Sequence, residues 1–323
     1  MSDVVATEGL FPGPAGSIQR KRKSTAWYFL LLALASLMWS GQGTAIKFLD
    51  PHIGPIAITF LPFYCTTLLA IPLLLRMRRQ RPTATTPSRR DWVRFAIAGI
   101  GGQVLAQLGM TWGISYSLAS NGAILNLLIP VISAVLASVM LKERMTRLRV
   151  ISLLIGLVGV ALMSSGDLKN ASFFQSKFFL GNLMIFAGCA GSAFYNVYCK
   201  GLLERFEEIE ILIYSYITAS IASIPLLIWV EPVQWHSLAT FTLSSWLAFA
   251  FLALFMYGAS MLLFFKALAH LDVTTASISM YLVPVFGVLL AITMLGERLN
   301  LFEILGAIIV LSATLLIVRY DQA

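Results

Sequence analysis

Ser36, Ser40, Gly43, Thr44 and Lys47 share spacings of three and four residues, which puts them on one face of a helix. Gln103 and Gln107 are also four apart, Asn126 stands one turn before Pro130, Tyr195 and Asn196 are adjacent, and Tyr257 and Tyr281 each sit in an apolar stretch. Apart from Lys47, these side chains are hydroxyls, phenols and carboxamides that donate and accept hydrogen bonds without fixed charge. Gathered around one space, they would hold a small neutral or zwitterionic organic solute against aromatic walls. Two uses of such groups compete. Some would bond helix to helix, worth about 0.6 kcal/mol each in a membrane, and the rest would line a cavity. Ser40, Thr44, Gln103, Gln107, Asn126, Tyr195, Asn196, Tyr257 and Tyr281 are the candidate solute-binding set.

Glu143 and Glu297, each followed by Arg, are the next candidates. A carboxylate pair suggests acid/base catalysis, but their places in the chain separate them, as shown below. The expected role is structural, with each carboxylate bonding free amides at the start of the next helix. Pro130 and Pro284 each remove a backbone bond and kink a helix, so they are expected to shape gates. His270 and Asp272 read as a solvated turn. Cys65, Cys189 and Cys199 lie in apolar stretches, and neither they nor the three histidines show metal-ligand spacing. No metal, cofactor or catalytic residue is expected.

These groups must be positioned by something other than a soluble domain. The chain of 323 residues is 58% hydrophobic and only 12% charged, about half the charge of a soluble protein. Apolar runs at about 27–49, 55–76, 94–114, 119–141, 148–165, 178–199, 210–230, 245–266, 272–295 and 301–318 each approach the roughly 20 residues a bilayer requires. Ten membrane-spanning helices are expected, behind a polar tail over 1–26. The first run is too long for the core of a signal peptide and reads as a retained span.

With the N-terminus in the cytoplasm, 19 of the 23 basic residues fall on that side, leaving Lys47, Lys169, Lys177 and Arg298 opposite. That is a strong positive-inside bias, and it accounts for the net charge of +8 without a nucleic-acid partner. Both termini are expected in the cytoplasm.

The chain also repeats itself. Trp92 and Trp246, Pro130 and Pro284, Glu143 and Glu297, and Arg144 and Arg298 are each 154 apart, with Ile124/Ile278, Leu128/Leu282, Leu136/Leu290 and Met140/Met294 in the same register. Earlier in each half the offset is 153, matching Lys47 to Lys200 and Pro72 to Pro225. Two copies of a five-helix unit follow, over 27–165 and 178–319. Because five is odd, the second copy runs inverted across the membrane, an architecture that secondary transporters use to expose a midplane site to each side in turn. Inversion also puts Glu143 and Glu297 on opposite faces.

The stretch from Tyr281 to Arg298, with Pro284-Val285-Phe286 and Leu295-Gly296-Glu297, resembles the EamA-type ten-helix exporters of the drug/metabolite transporter superfamily. Phe265 to Ala276 resembles that family's turn between its eighth and ninth helices, Leu128 to Arg144 is a weaker copy, and Trp39-Ser40-Gly41 resembles its first-helix motif. There are departures: Ser40 stands where the family usually has Gly, Lys142 replaces the Gly of Leu-Gly-Glu, and the second run offers no Arg. The resemblance implies a cavity formed mainly by the first, third, fourth, sixth, eighth and ninth helices. The chain reads as a multi-pass protein of the cell inner membrane, monomer or homodimer, and the resemblance implies that it exports a small metabolite such as an amino acid. Efflux of cationic drugs is the alternative. A channel would need repeated polar filters, and a membrane enzyme would need clustered His, Asp or Glu. If the topology is right, tags at residues 170 and 235 report outside and a tag at residue 205 reports inside; any other pattern removes the inverted-repeat argument.

Overall fold

The computed structural model describes residues 24–80, 86–117, 125–163, 176–232, 235–295 and 301–320. All regular elements among them are helical. Helix α1 (Thr25–Ser40) passes Gly41 into α2 (Gln42–Leu49), and α3 spans Pro55–Gln80. Helix α4 (Arg89–Ala96) runs through a π-helical turn, Ile97–Val104, into α5 (Leu105–Ser115). Next come α6 (Leu128–Met140), α7 (Arg147–Met163), α8 (Ser176–Leu202) and α9 (Glu208–Pro225). Helix α10 (Leu243–Phe251) passes through a second π-helical turn, Leu252–Ala259, into α11 (Ser260–Leu268). Helix α12 (Val273–Ile278) leads through the turn Ser279–Tyr281 to α13 (Leu282–Leu295), and α14 is Leu301–Tyr320.

Five described helical stretches are long and apolar enough to cross a membrane: Thr25–Ile46, Pro55–Gln80, Arg89–Ile114, Glu208–Val230 and Leu243–Leu268. Leu128–Met140, Val273–Gly287 and Ile304–Tyr320 are shorter apolar helices. Leu68, Val139, Val158, Ile221, Trp229 and Leu315 all point outward. An apolar exterior on this scale would aggregate in water and is at home in lipid.

Local chemistry recurs between the halves. Ser88 Oγ accepts from Asp91 N at 3.3 Å to start α4, and Thr242 Oγ1, 154 residues on, accepts from Ser245 N at 3.2 Å to start α10. The π-helical turns follow both starts. Contacts also recur with the halves exchanged. Ser36 Oγ donates to Ser279 O at 3.1 Å, and their counterparts Cys189 Sγ and Leu125 O lie 3.5 Å apart. Arg78 pairs with Glu210 at 2.9 Å, while Glu231 and Ala57, the counterparts, meet through a 3.4 Å bond from the Ala57 amide. Thr66 Oγ1 donates to Ala253 O at 2.6 Å. Gly99, the counterpart of Ala253, packs so tightly on α9 that a Cβ there would lie 2.2 Å from Thr218 Oγ1 and 3.0 Å from Ala219 N. In the same exchanged way α1 packs on α11 and α13, and α8 packs on α5 and α6.

The charged groups gather at one end. Asp91, fully buried, receives Arg94 at 3.1 Å and Arg205 at 3.2 Å. The turn between α11 and α12 is gripped from three sides. Lys200 Nζ donates to Leu268 O and Leu271 O at 2.8 and 2.9 Å, Arg149 pairs with Asp272, and Glu143 accepts from the amides of Val273 at 2.7 Å and Thr274 at 3.2 Å. This corrects two sequence expectations. Glu143 caps a helix, but it is α12 in the other half and not the next helix, α7. Asp272 is tied to Arg149, and His270 stacks on Tyr28 with ring centroids 4.4 Å apart, so their turn is packed and not merely solvated. Sequence spacing cannot see these three contacts, because each joins residues over 100 positions apart.

Lys142 has φ 57°, the left-handed region that disfavours a side chain, at the position where the second copy has Gly296. Lys142→Gly should therefore raise the thermal unfolding midpoint, with a gain of about 1 kcal/mol once the extra unfolded-state entropy of glycine is subtracted. An unchanged or lower midpoint in detergent would refute the strain.

Candidate functional site

Two of the three described π-helical turns place Gln103 and Tyr257, which are counterparts at the 154 offset, on facing helices; the third is Leu226–Val230. Gln107, one turn along on α5, bridges them: Tyr257 OH donates to Gln107 Oε1 at 3.5 Å, and Gln107 Nε2 donates to Gln103 Oε1 at 3.5 Å. Both bonds are long for their type, so these groups are available to a better-placed partner. Beside Gln103, the buried Tyr195 hydroxyl bonds Ser215 Oγ at 2.9 Å.

Aromatic rings wall the cluster. Phe63 stacks on Tyr216 with centroids 3.9 Å apart and stands edge-on to Tyr257 at 5.4 Å; Tyr195 lies 5.7 Å from Phe265. Tyr216 OH donates to Tyr257 O at 3.0 Å, binding a carbonyl inside the π-helical turn. Phe63 and Tyr216 are themselves counterparts, 153 apart, and so are Leu127 and Tyr281, which meet through a 3.4 Å bond from Tyr281 OH to Leu127 O. Residues that touch their own counterparts mark the line where the two halves meet, and the cluster sits on it. The polar groups named here are amides, phenols and a hydroxyl, which can orient a solute by hydrogen bonds.

The structure thus brings Gln103, Gln107, Tyr195 and Tyr257 together. Other predicted positions lie apart from that ring of contacts. Ser40 Oγ donates to Leu37 O of its own helix, and Thr44 is exposed. Asn126 Oδ1 accepts from Cys189 Sγ at 3.5 Å, and Asn126 is also the residue whose carbonyl Pro130 leaves without its helical donor. Tyr281 is tied to Leu127, and Asn196 is buried with Nδ2 unpartnered. Pro130 is buried in α6 and Pro284 partly buried in α13. Glu143 holds α12, and Glu297 lies outside the described residues. Sequence reasoning missed Phe63, Ser215, Tyr216 and Phe265. The 153 offset pairing Phe63 with Tyr216 was a signal that could have singled them out.

Comparison with known proteins adds what geometry alone does not. Residues 26–165 and 179–319 each match the model of the family described as the EamA-like transporter family. A protein of Archaeoglobus fulgidus named an uncharacterized transporter is 26% identical over 291 residues, covering 89% of this chain and 96% of its own. A protein of Streptantibioticus cattleyicolor named "Probable terminal-alkyne amino-acid exporter" is 26% identical over 72% of this chain and 75% of its own length. A Rickettsia prowazekii protein named an S-adenosylmethionine uptake transporter is 20% identical over 92% of each. A solved crystal structure superposes with a TM-score of 0.75 at 18% identity, covering 91% of this chain and 98% of that one, which shows the fold.

If Gln107 and Tyr257 contact solute, Gln107→Ala and Tyr257→Phe should raise the KM of any solute the purified protein exchanges by about threefold to tenfold, the worth of one hydrogen bond each. Their unfolding midpoints without solute should stay near wild type. Lower midpoints with unchanged KM would assign both side chains to packing.

Proposed function

Since the chain belongs to the EamA-like transporter family of the drug/metabolite transporter superfamily, we propose that it is a secondary transporter that exports a small organic metabolite, such as an amino acid, by alternating access. The observation that carries this reading is the uncharged amide and phenol cluster built on the line where the two halves meet. A carrier must bind its solute firmly enough to select it and loosely enough to release it. Long hydrogen bonds from Gln103, Gln107 and Tyr257 against aromatic faces suit that demand.

In this reading the chain spans the inner membrane ten times as two inverted five-helix repeats, residues 27–165 and 178–319, with both termini in the cytoplasm. The exchanged contacts support the repeat, because Ser36 with Ser279 becomes Cys189 with Leu125 when the halves are swapped. Inverted halves would place their meeting line, and hence the cluster, near the midplane. The gathering of Arg78, Arg94, Arg149, Lys200 and Arg205 at one end supports a cytoplasmic placement of that end.

The exporter relative from Streptantibioticus supports an amino-acid solute and the outward direction. The absence of a carboxylate from the cluster's described contacts weighs against organic cations, which need a fixed or induced negative partner. Reconstituted vesicles test the reading. An unlabelled amino acid loaded on one side should accelerate entry of the labelled amino acid from the other, because a carrier returns faster when occupied. Flux without such stimulation would make the protein a channel, and no flux of any amino acid would overturn the solute class.

A further inference from the structure

Two seams related by the 153 and 154 offsets differ in this structure. The first lies between the α1–α2 rod and the Ser279–Leu295 segment and is pinned by the bond from Ser36 Oγ to Ser279 O. Seven residues beyond Ser36, away from the charged end, the same face of the rod carries Gly43, and α13 carries Gly287. A Cβ built on either glycine meets nothing within 4 Å among the described residues. The second seam lies between α8 and α6 and is pinned by Cys189 Sγ to Leu125 O. Seven residues beyond Cys189, toward the charged end, stands Asn196, the counterpart of Gly43. Ser133 on α6 is the counterpart of Gly287. Both are shut in, at 4% and 0% exposure, and among the described residues neither Asn196 Nδ2 nor Ser133 Oγ has a hydrogen-bond partner.

The first seam thus has two glycines with open space at their Cβ positions, while the second buries two polar side chains whose Nδ2 and Oγ find no partner among the described residues. Buried polar groups are nearly always satisfied, so these two atoms are places where a bound solute can supply the partner. What holds the second seam shut lies one turn further along. Lys200, four residues past Asn196 on the same face, grips Leu268 O and Leu271 O, while Arg149 holds Asp272 and Glu143 holds the start of α12. The sequence counterparts of Arg149 and Asp272 are Glu303 and Leu118, which cannot form an ion pair. This clasp is thus stronger than anything its repeat can build from the same positions.

We propose that the α8–α6 seam is the second mouth of the transport path, that the clasp holds it closed, and that Asn196 and Ser133 form a solute subsite bared when it opens. The subsite takes a carbonyl- or carboxylate-bearing solute: the carboxamide Nδ2 donates to that oxygen, and the hydroxyl gives or accepts one further bond. In that open state Gly43 and Gly287, having no side chains, let the first seam close. The proposal rests on the transport reading above and assigns the two mouths to particular residues.

The test is cysteine accessibility. In a background with Cys65→Ala, Cys199→Ala and Cys189→Ser, the serine keeping a donor for Leu125 O, N196C and S133C should react slowly with a charged, water-soluble methanethiosulfonate. Adding Asp272→Asn, or independently Lys200→Met, should speed labelling at both positions at least tenfold. Gly43→Trp adds bulk where there is open space, so it should leave the fold intact, return labelling in the Asp272→Asn background to its slow rate, and abolish exchange. Fast labelling before the clasp is weakened overturns the proposal, as do labelling rates that ignore both clasp variants and exchange that survives Gly43→Trp. Labelling needs no transport: clasp-dependent labelling in a protein that exchanges nothing would sink the transport reading alone, and normal exchange with clasp-independent labelling would sink the mouth alone.

Discussion

Every peptide group inside a bilayer must find its hydrogen bond within the protein, because lipid offers none. That constraint makes every regular element among the described residues helical, and it bears on where the helices can be imperfect. A π-helical turn loosens the regular ladder and leaves carbonyls in need of donors. Here side chains from neighbouring helices supply them: Thr66 to Ala253 O, Thr218 to Phe95 O, and Tyr216 to Tyr257 O. Two of these segments bury Gln103 and Tyr257, while a third, Leu226–Val230, stands at the exposed end of its helix.

Packing does the rest without a hydrophobic drive between helices, since lipid is as apolar as leucine. Helices α5 and α8 approach until a Cβ on Gly109 would lie 2.6 Å from Gly188 Cα. Such contact maximises dispersion and leaves no room for side chains between the backbones. The charges are kept to the ends, where Asp91 collects two arginines and the α11–α12 turn collects a lysine, an arginine and a glutamate. A rigid, glycine-packed pair of helices beside polar contacts that can exchange partners is what a two-state carrier requires.

Much of the site could be read from spacing. Gln103 and Gln107 are four apart in an apolar run, which already places two amides on one inward face, and the structure finds them bonded to each other. Tyr195 and Tyr257 were legible for the same reason: a phenol in a bilayer is costly unless it faces inward. Phe63 and Tyr216 were not picked out, because an aromatic residue in an apolar helix looks the same whether it faces lipid or stacks on a partner. Glu143 was read as a cap, correctly in kind and wrongly in address, because a carboxylate's partner in space need not be its neighbour in sequence.

The sequence alone determined that the chain leaves water, that its residues repeat at 153 and 154 positions, and that no Asp or Glu stands in the middle of an apolar run. Composition, periodicity and identity are properties of the chain read in order, so no coordinates are needed for them. Tertiary structure alone decided which counterparts touch, that Gly43 faces space while Asn196 is buried, and that Lys200, Arg149 and Glu143 close on one turn. The difference between the open space at Gly43 and the burial of Asn196 exists only as distances between helices, which depend on every contact at once.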